Sequence, residues 1–89
     1  MSDGAKTTIE FPCDYPIKVI GHAADDFREF VVEVVRVHAP DLDASKVEVI
    51  DSSNGRYQSI RLTIVATGEP QLRALFEDLK ASGRVQMVL

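Results

Sequence analysis

The sequence predicts a small α+β domain of order β-α-β-β-α-β, with a four-stranded antiparallel sheet and two helices on one of its faces. Three observations predict it. Two segments repeat apolar residues at helical spacing, four short segments read as strands, and Asn54-Gly55 separates the middle two strands. Each helical segment carries a single apolar stripe, so both helices must cover the same side of one sheet.

The elements follow in order. Residues 1–10 are polar and aperiodic and read as a flexible lead-in, with one domain over 11–89. Phe11-Pro12 marks the entry, because proline biases the preceding residue towards an extended backbone. The first strand is Tyr15–Ile20, with Tyr15, Ile17 and Val19 on one face and Pro16, Lys18 and Ile20 on the other. Gly21 ends it, and Asp25 or Asp26 is placed to cap a helix. Phe27, Phe30, Val31, Val34, Val35 and His38 then recur at i, i+3, i+4, i+7, i+8 and i+11. That period outweighs the β propensity of the valines. Pro40 stops the helix.

The second strand is read over Lys46–Ser52. Asn54-Gly55 is expected to form a two-residue type I′ turn, with φ above zero at both positions. Ser53 then opposes Arg56, and the numbers of opposed residues always sum to 109. Val49 faces Ile60 and Val47 faces Leu62 on the helix side. Glu48 faces Arg61, Ile50 faces Ser59 and Ser52 faces Tyr57 on the other side, so register and polarity agree. The third strand runs over Tyr57–Ala66. Thr67-Gly68-Glu69-Pro70 starts a second helix, with Leu72, Leu75, Phe76 and Leu79 as its stripe. Gly83 stops it, and Arg84–Leu89 alternates as the last strand. Right-handed crossovers make this arrangement ferredoxin-like.

Composition bounds the function. Eighty-nine residues suit one domain, and 45% hydrophobic with 27% charged residues suit a thin core in a wet surface. A net charge of −4 argues against nucleic acid, which needs a concentrated basic surface. Cys13 is the only cysteine, so no internal disulfide forms and a reducing cytoplasm is expected. No apolar run is long enough to span a membrane, and Met1-Ser2-Asp3-Gly4-Ala5-Lys6 lacks the apolar stretch of a signal peptide.

Several segments together are specific: Phe11-Pro12, Lys18-Val19-Ile20-Gly21, His38-Ala39-Pro40, Ser52-Ser53-Asn54-Gly55-Arg56-Tyr57-Gln58-Ser59 and Val85-Gln86-Met87-Val88-Leu89. On these the chain resembles the YbeD-like family of small bacterial proteins of unknown function. The resemblance implies a fold close to the ACT domain, a regulatory module that senses amino acids in metabolic enzymes. It further implies regulation near lipoate metabolism or glycine cleavage, acting in trans because no enzyme domain accompanies this one.

The residues themselves point away from catalysis. Cys13, His22 and His38 are the only soft ligands, and no two have metal-ligand spacing. No histidine is placed to activate a serine, and Cys13, read outside the regular elements, has only Lys18 as a nearby cation. No cofactor, metal or catalytic residue is expected, and His38 reads as a half-buried histidine at a helix C-terminus.

Two places could bind. The sheet face away from the helices is expected to show Lys18, Ile20, Glu48, Ile50, Arg61, Thr63, Val65, Gln86 and Val88. Its β-branched aliphatics suggest a protein interface, with Lys18, Ile20, Ile50, Arg61, Val65 and Val88 as the contact residues; the bland alternative is a mixed surface with a Glu48–Arg61 pair. RNA recognition motifs use the same face but need aromatics on the central strands, and only Tyr57 is available. The second place joins Gly21 and His22 to the polar hairpin residues Ser52, Ser53, Asn54, Gly55, Tyr57 and Ser59. In ACT domains a glycine-bearing loop here lets backbone amides meet a small anion, although Asp25 and Asp26 oppose this and Asn54-Gly55 is needed for the turn in any case. The expected function is therefore a non-enzymatic regulatory or adaptor domain acting through protein contact or self-association, with modulation by a metabolite open. A stand-alone amino-acid or small-acid sensor is the alternative.

Overall fold

The computed structural model describes residues 12–89. The expected lead-in and Phe11 lie outside the described residues. Strand β1 (Cys13–His22) is followed by helix α1 (Phe27–His38), a single 3-10 turn (Ala44–Lys46), strand β2 (Glu48–Asp51), strand β3 (Tyr57–Ala66), helix α2 (Glu69–Ala81) and strand β4 (Val85–Val88). The sheet order is β2-β3-β1-β4, every pairing is antiparallel, and the fold is the ferredoxin-like, ACT-like arrangement. Ile17 and Val19 of β1 and Ile60, Leu62 and Ile64 of β3 are buried under Phe27, Val31 and Val35 of α1 and Leu72, Leu75 and Leu79 of α2.

Strand β1 extends beyond both ends of the expected strand, so Cys13 lies inside a strand, half-buried against the core, rather than outside the regular elements. Pro16 is tolerated within it for a geometric reason. Lys18 exchanges both backbone hydrogen bonds with Leu89 (3.1 and 2.8 Å), so even-numbered residues of β1 turn their amides towards the β4 side. No described strand pairs that side at Pro16, so its missing N–H removes no ladder bond.

The hairpin register is the expected one, with Glu48 opposite Arg61, Val49 opposite Ile60 and Ile50 opposite Ser59. Its turn is different. Gly55 has φ +74°, but no non-glycine residue has positive φ, so Asn54 does not take the type I′ conformation. The Gly55 amide donates to Ser52 O (3.0 Å) and Ser52 N donates to Tyr57 O (2.9 Å), which makes a wider loop over residues 53–56. Strand β2 is also shorter than expected, because Lys46 belongs to the 3-10 turn that Asp43 caps by accepting from Ser45 N (3.0 Å). At this sheet edge Val49 is 40% exposed although it shares the helix side.

The expected alternation in β4 fails at a bulge. Val88 opposes Val19, Met87 opposes Ile20, and Val85 opposes Gly21, leaving Gln86 as the extra residue. Both Val85 and Val88 therefore pack against the core. Val88 does not join the open face as expected; Met87 and Leu89 do.

Neither aspartate caps α1 through its side chain. Asp26 occupies the N-cap position, but its carboxylate receives the Arg84 guanidinium instead (2.6 and 3.3 Å). The expected end of α2 is found, with Gly83 at φ +78° directly after the Ser82 cap. His38 pairs through Nε2 with Asp78 of α2, while Gln71 Nε2 donates to the His38 carbonyl (2.8 Å), so one residue ties the two helices together.

Candidate functional site

The residues expected to form a ligand loop divide between the two sides of the sheet. Gly21 is buried on the helix side, and its lack of a side chain is a packing requirement. A Cβ there would lie 2.5 Å from Cζ of Phe27 and closer still to the Arg84 carbonyl. His22, Tyr57 and Ser59 lie on the other side: the rings of His22 and Tyr57 are 5.5 Å apart, and Gln86 Nε2 sits 2.8 Å from His22 Nε2. The amides after β1 are already engaged, Ala23 N with Arg56 O (2.9 Å) and Ala24 N with Gln58 Oε1 (3.2 Å). Asn54 Oδ1 accepts from Ser52 Oγ (2.9 Å) and Arg56 N (3.0 Å), and Ser52 Oγ accepts from Tyr57 N (3.1 Å). The side-chain oxygens of Ser52 and Asn54 are thus engaged within the hairpin itself. Ser53 is exposed beside them. A concavity of about 550 Å³ does lie between loop and hairpin, but Asp25 and Asp51 line it and no cation does.

The open sheet face is organised as rows across the strands. At the hairpin end lie Tyr57 and His22. The next row is Ile50, Ser59, Ile20 and Met87, and the one after it is Glu48, Arg61, Lys18 and Leu89. Thr63 opposes Pro16 and Val65 opposes Asp14 beyond them. Ile50 and Val65 are each 44% exposed, Met87 49% and Leu89 62%. A concavity of about 400 Å³ opens on the charged row, lined among others by Lys18, Lys46, Glu48, Arg61 and Thr63. Glu48 and Arg61 oppose each other as expected but form no ion pair; the ion pairs among the described residues are Arg28–Glu29, His38–Asp78 and Arg84–Asp26.

Arg84 is the residue the sequence did not single out. Its guanidinium carbon lies 4.7 Å from the Phe30 ring centroid and 5.8 Å from that of Phe27, over a ring pair itself 6.4 Å apart. The hydrogen bond from Arg84 holds the Asp26 carboxyl below the usual carboxylate range, and the same bond raises Arg84. The only sequence signal was a cation directly after the helix-ending glycine, and nothing local announces its partner.

Among the described residues no cluster of three or more His, Cys, Asp or Glu side chains could hold a metal ion, and no helix is long and apolar enough to cross a membrane. What the described residues define is an ACT-like fold: four antiparallel strands with both helices on one face and the other face open.

The chain belongs to the family described as "Protein of unknown function (DUF493)", whose pattern matches residues 6–89. A UPF0250 protein of Hahella chejuensis is 55% identical over 91 residues, covering all of both chains. One from Azotobacter vinelandii is 57% identical over 82 residues, covering 91% of this chain and 89% of its own. These relatives correct the YbeD-like assignment: the family is UPF0250/DUF493. The expectation of a role near lipoate metabolism or glycine cleavage loses its support with that assignment. Two solved structures share the fold. Protein HP0495 from H. pylori matches with a TM-score of 0.75 at 22% identity, over all of this chain and 93% of that one. The ACT domain of GTP pyrophosphokinase from Chlorobium tepidum matches with a TM-score of 0.61 at 15% identity, over 85% and 84%.

Proposed function

We propose that this is a non-enzymatic regulatory or adaptor domain that works by protein contact through its open sheet face. The observation behind this reading is the set of aliphatic side chains on that face, Ile50, Val65, Met87 and Leu89, each between 44% and 62% exposed and none needed by the core. A solvated antiparallel face is ordinarily polar, and large apolar side chains gathered there favour a covering partner. The ACT-like fold is compatible with such a role without assigning it.

Val65→Lys tests the reading. Covering the face would require the new ammonium to be desolvated, so association should weaken strongly. The measurement is mass by light scattering, with recovery of any stoichiometric partner co-purified from the native cell. A variant that keeps its fold and every association refutes the interface.

The alternative, a stand-alone amino-acid or small-acid sensor, has less behind it. The amides of Ala23 and Ala24 are bonded to the hairpin, and the adjoining concavity bears carboxylates, which repel a small acid.

A further inference from the structure

We infer that the partner docking on the open face presents a carboxylate set within an apolar patch, and that Arg61 and Lys18 receive it. This deepens the proposed protein-contact role and rests on it. The strand register makes Lys18 and Arg61 direct cross-strand neighbours on that face. Like charges so placed repel, and a fold gains nothing from the arrangement by itself. Glu48, the neighbour of Arg61 on the other side, is not within ion-pair distance of it, and none of the ion pairs among the described residues uses Lys18, Lys46 or Arg61. Three cationic side chains and one acidic side chain therefore border a concavity of about 400 Å³, which Leu89 also lines, on a chain whose net charge is −4. The local sign is inverted relative to the whole.

The surroundings define what kind of anion fits. Ile50, Ile20 and Met87 form the neighbouring row and Leu89 closes the charged one. A carboxylate entering there is flanked by aliphatic surface, where exclusion of water strengthens a charge-assisted, two-pronged bond to a guanidinium. A second copy packed face to face about a strand-parallel axis midway between β3 and β1 would lay Arg61 and Lys18 on the same cations of its mate, a disfavoured pairing. Single-stranded nucleic acid fits poorly too. It docks by stacking bases on aromatics, and this face offers His22 and Tyr57 at one end and aliphatics elsewhere.

The test uses the full chain and two short amphipathic helical peptides. They share an apolar stripe and differ only in a central Glu or Lys, and binding is read by fluorescence anisotropy. The Glu peptide should bind about tenfold tighter, and added salt should erode the difference. Arg61→Glu should reverse the preference, with Lys18→Glu as a second reversal and a melting curve to show that each variant folds. Equal affinities, a preference that Arg61→Glu leaves unmoved, or no binding of either peptide overturns the inference. Equal affinities that Val65→Lys weakens together would leave the contact role standing and remove only its acidic partner. Arg61-dependent binding of oligouridylate in place of the peptides would overturn it in favour of nucleic acid.

Discussion

Gly21→Ala should be among the most damaging single-methyl additions in this protein. The new Cβ meets two obstacles that cannot move independently. One is the ring of Phe27, the first residue of α1, which is fully buried. The other is the Arg84 carbonyl, which accepts the His22 amide at 3.1 Å in the β1–β4 pairing. Over-packing a core position costs about 1–3 kcal/mol, and losing a net backbone hydrogen bond adds about 1 kcal/mol. The sum, roughly 2–4 kcal/mol, corresponds to a fall in Tm of about 10–25 °C for a domain of this size. Urea or thermal denaturation reads it directly. Phe27→Leu, harmful alone, should recover part of the loss in the double variant, because it removes the ring atoms that the Cβ strikes. A Gly21→Ala protein within about 0.5 kcal/mol of the parent would refute the packing account and return Gly21 to consideration as a ligand-loop glycine.

Other outcomes separate the remaining assignments. Gly55→Ala should cost about 1–2 kcal/mol in chemical denaturation, for its φ of +74° alone, since its Cβ would meet nothing within 4 Å. Asn54→Ala should cost about 0.5–1.5 kcal/mol, for the bonds its Oδ1 accepts; a loss much larger than that at Asn54 would reinstate a type I′ turn. Met87→Lys should leave stability within about 0.5 kcal/mol, whereas Val88→Lys should lose about 1–3 kcal/mol; the reverse order would place the bulge elsewhere. The Asp26 and Asp43 carboxyls are held low by hydrogen bonds from Arg84 and from Ser45 respectively. Their stabilising effect is complete above the unfolded carboxylate value, about 3.9, and is lost as pH falls through their lower folded values. Asp26→Asn should therefore make the acid limb of a stability–pH curve shallower. A millimolar screen of free amino acids and small acids should leave the Tm unchanged; a ligand at 100 times its Kd would add about 2.7 kcal/mol and favour the sensor.

Element order and hairpin register could be read from sequence because both rest on local periodicity. The turn could not. Widening the loop by one residue on each side leaves the sum of opposed residue numbers unchanged, so the agreement of Val49 with Ile60 and Glu48 with Arg61 is blind to whether two or four residues turn the corner. The error at Val88 has a different origin. Alternation assumes a regular ladder, and one extra residue at Gln86 exchanges the faces of everything beyond it. The open-face residues of β1, β2 and β3 were legible for the same reason that those of β4 were not. The Asp26–Arg84 bridge joins residues 58 positions apart, and no local pattern carries that information.

The strand order has a consequence for biosynthesis. Strand β1 is translated first yet lies inside the sheet, between β3 and β4. At ~5–20 residues per second, the ribosome needs several seconds after finishing β1 to deliver the residues of β4. Through that interval Val19 and Gly21 lack at least one of the two strands that flank them, and only the β2–β3 hairpin can close from neighbouring sequence. Completion of the sheet is therefore a late event, and the time available to a chaperone that grips extended apolar segments is set by topology rather than by the stability of the finished fold.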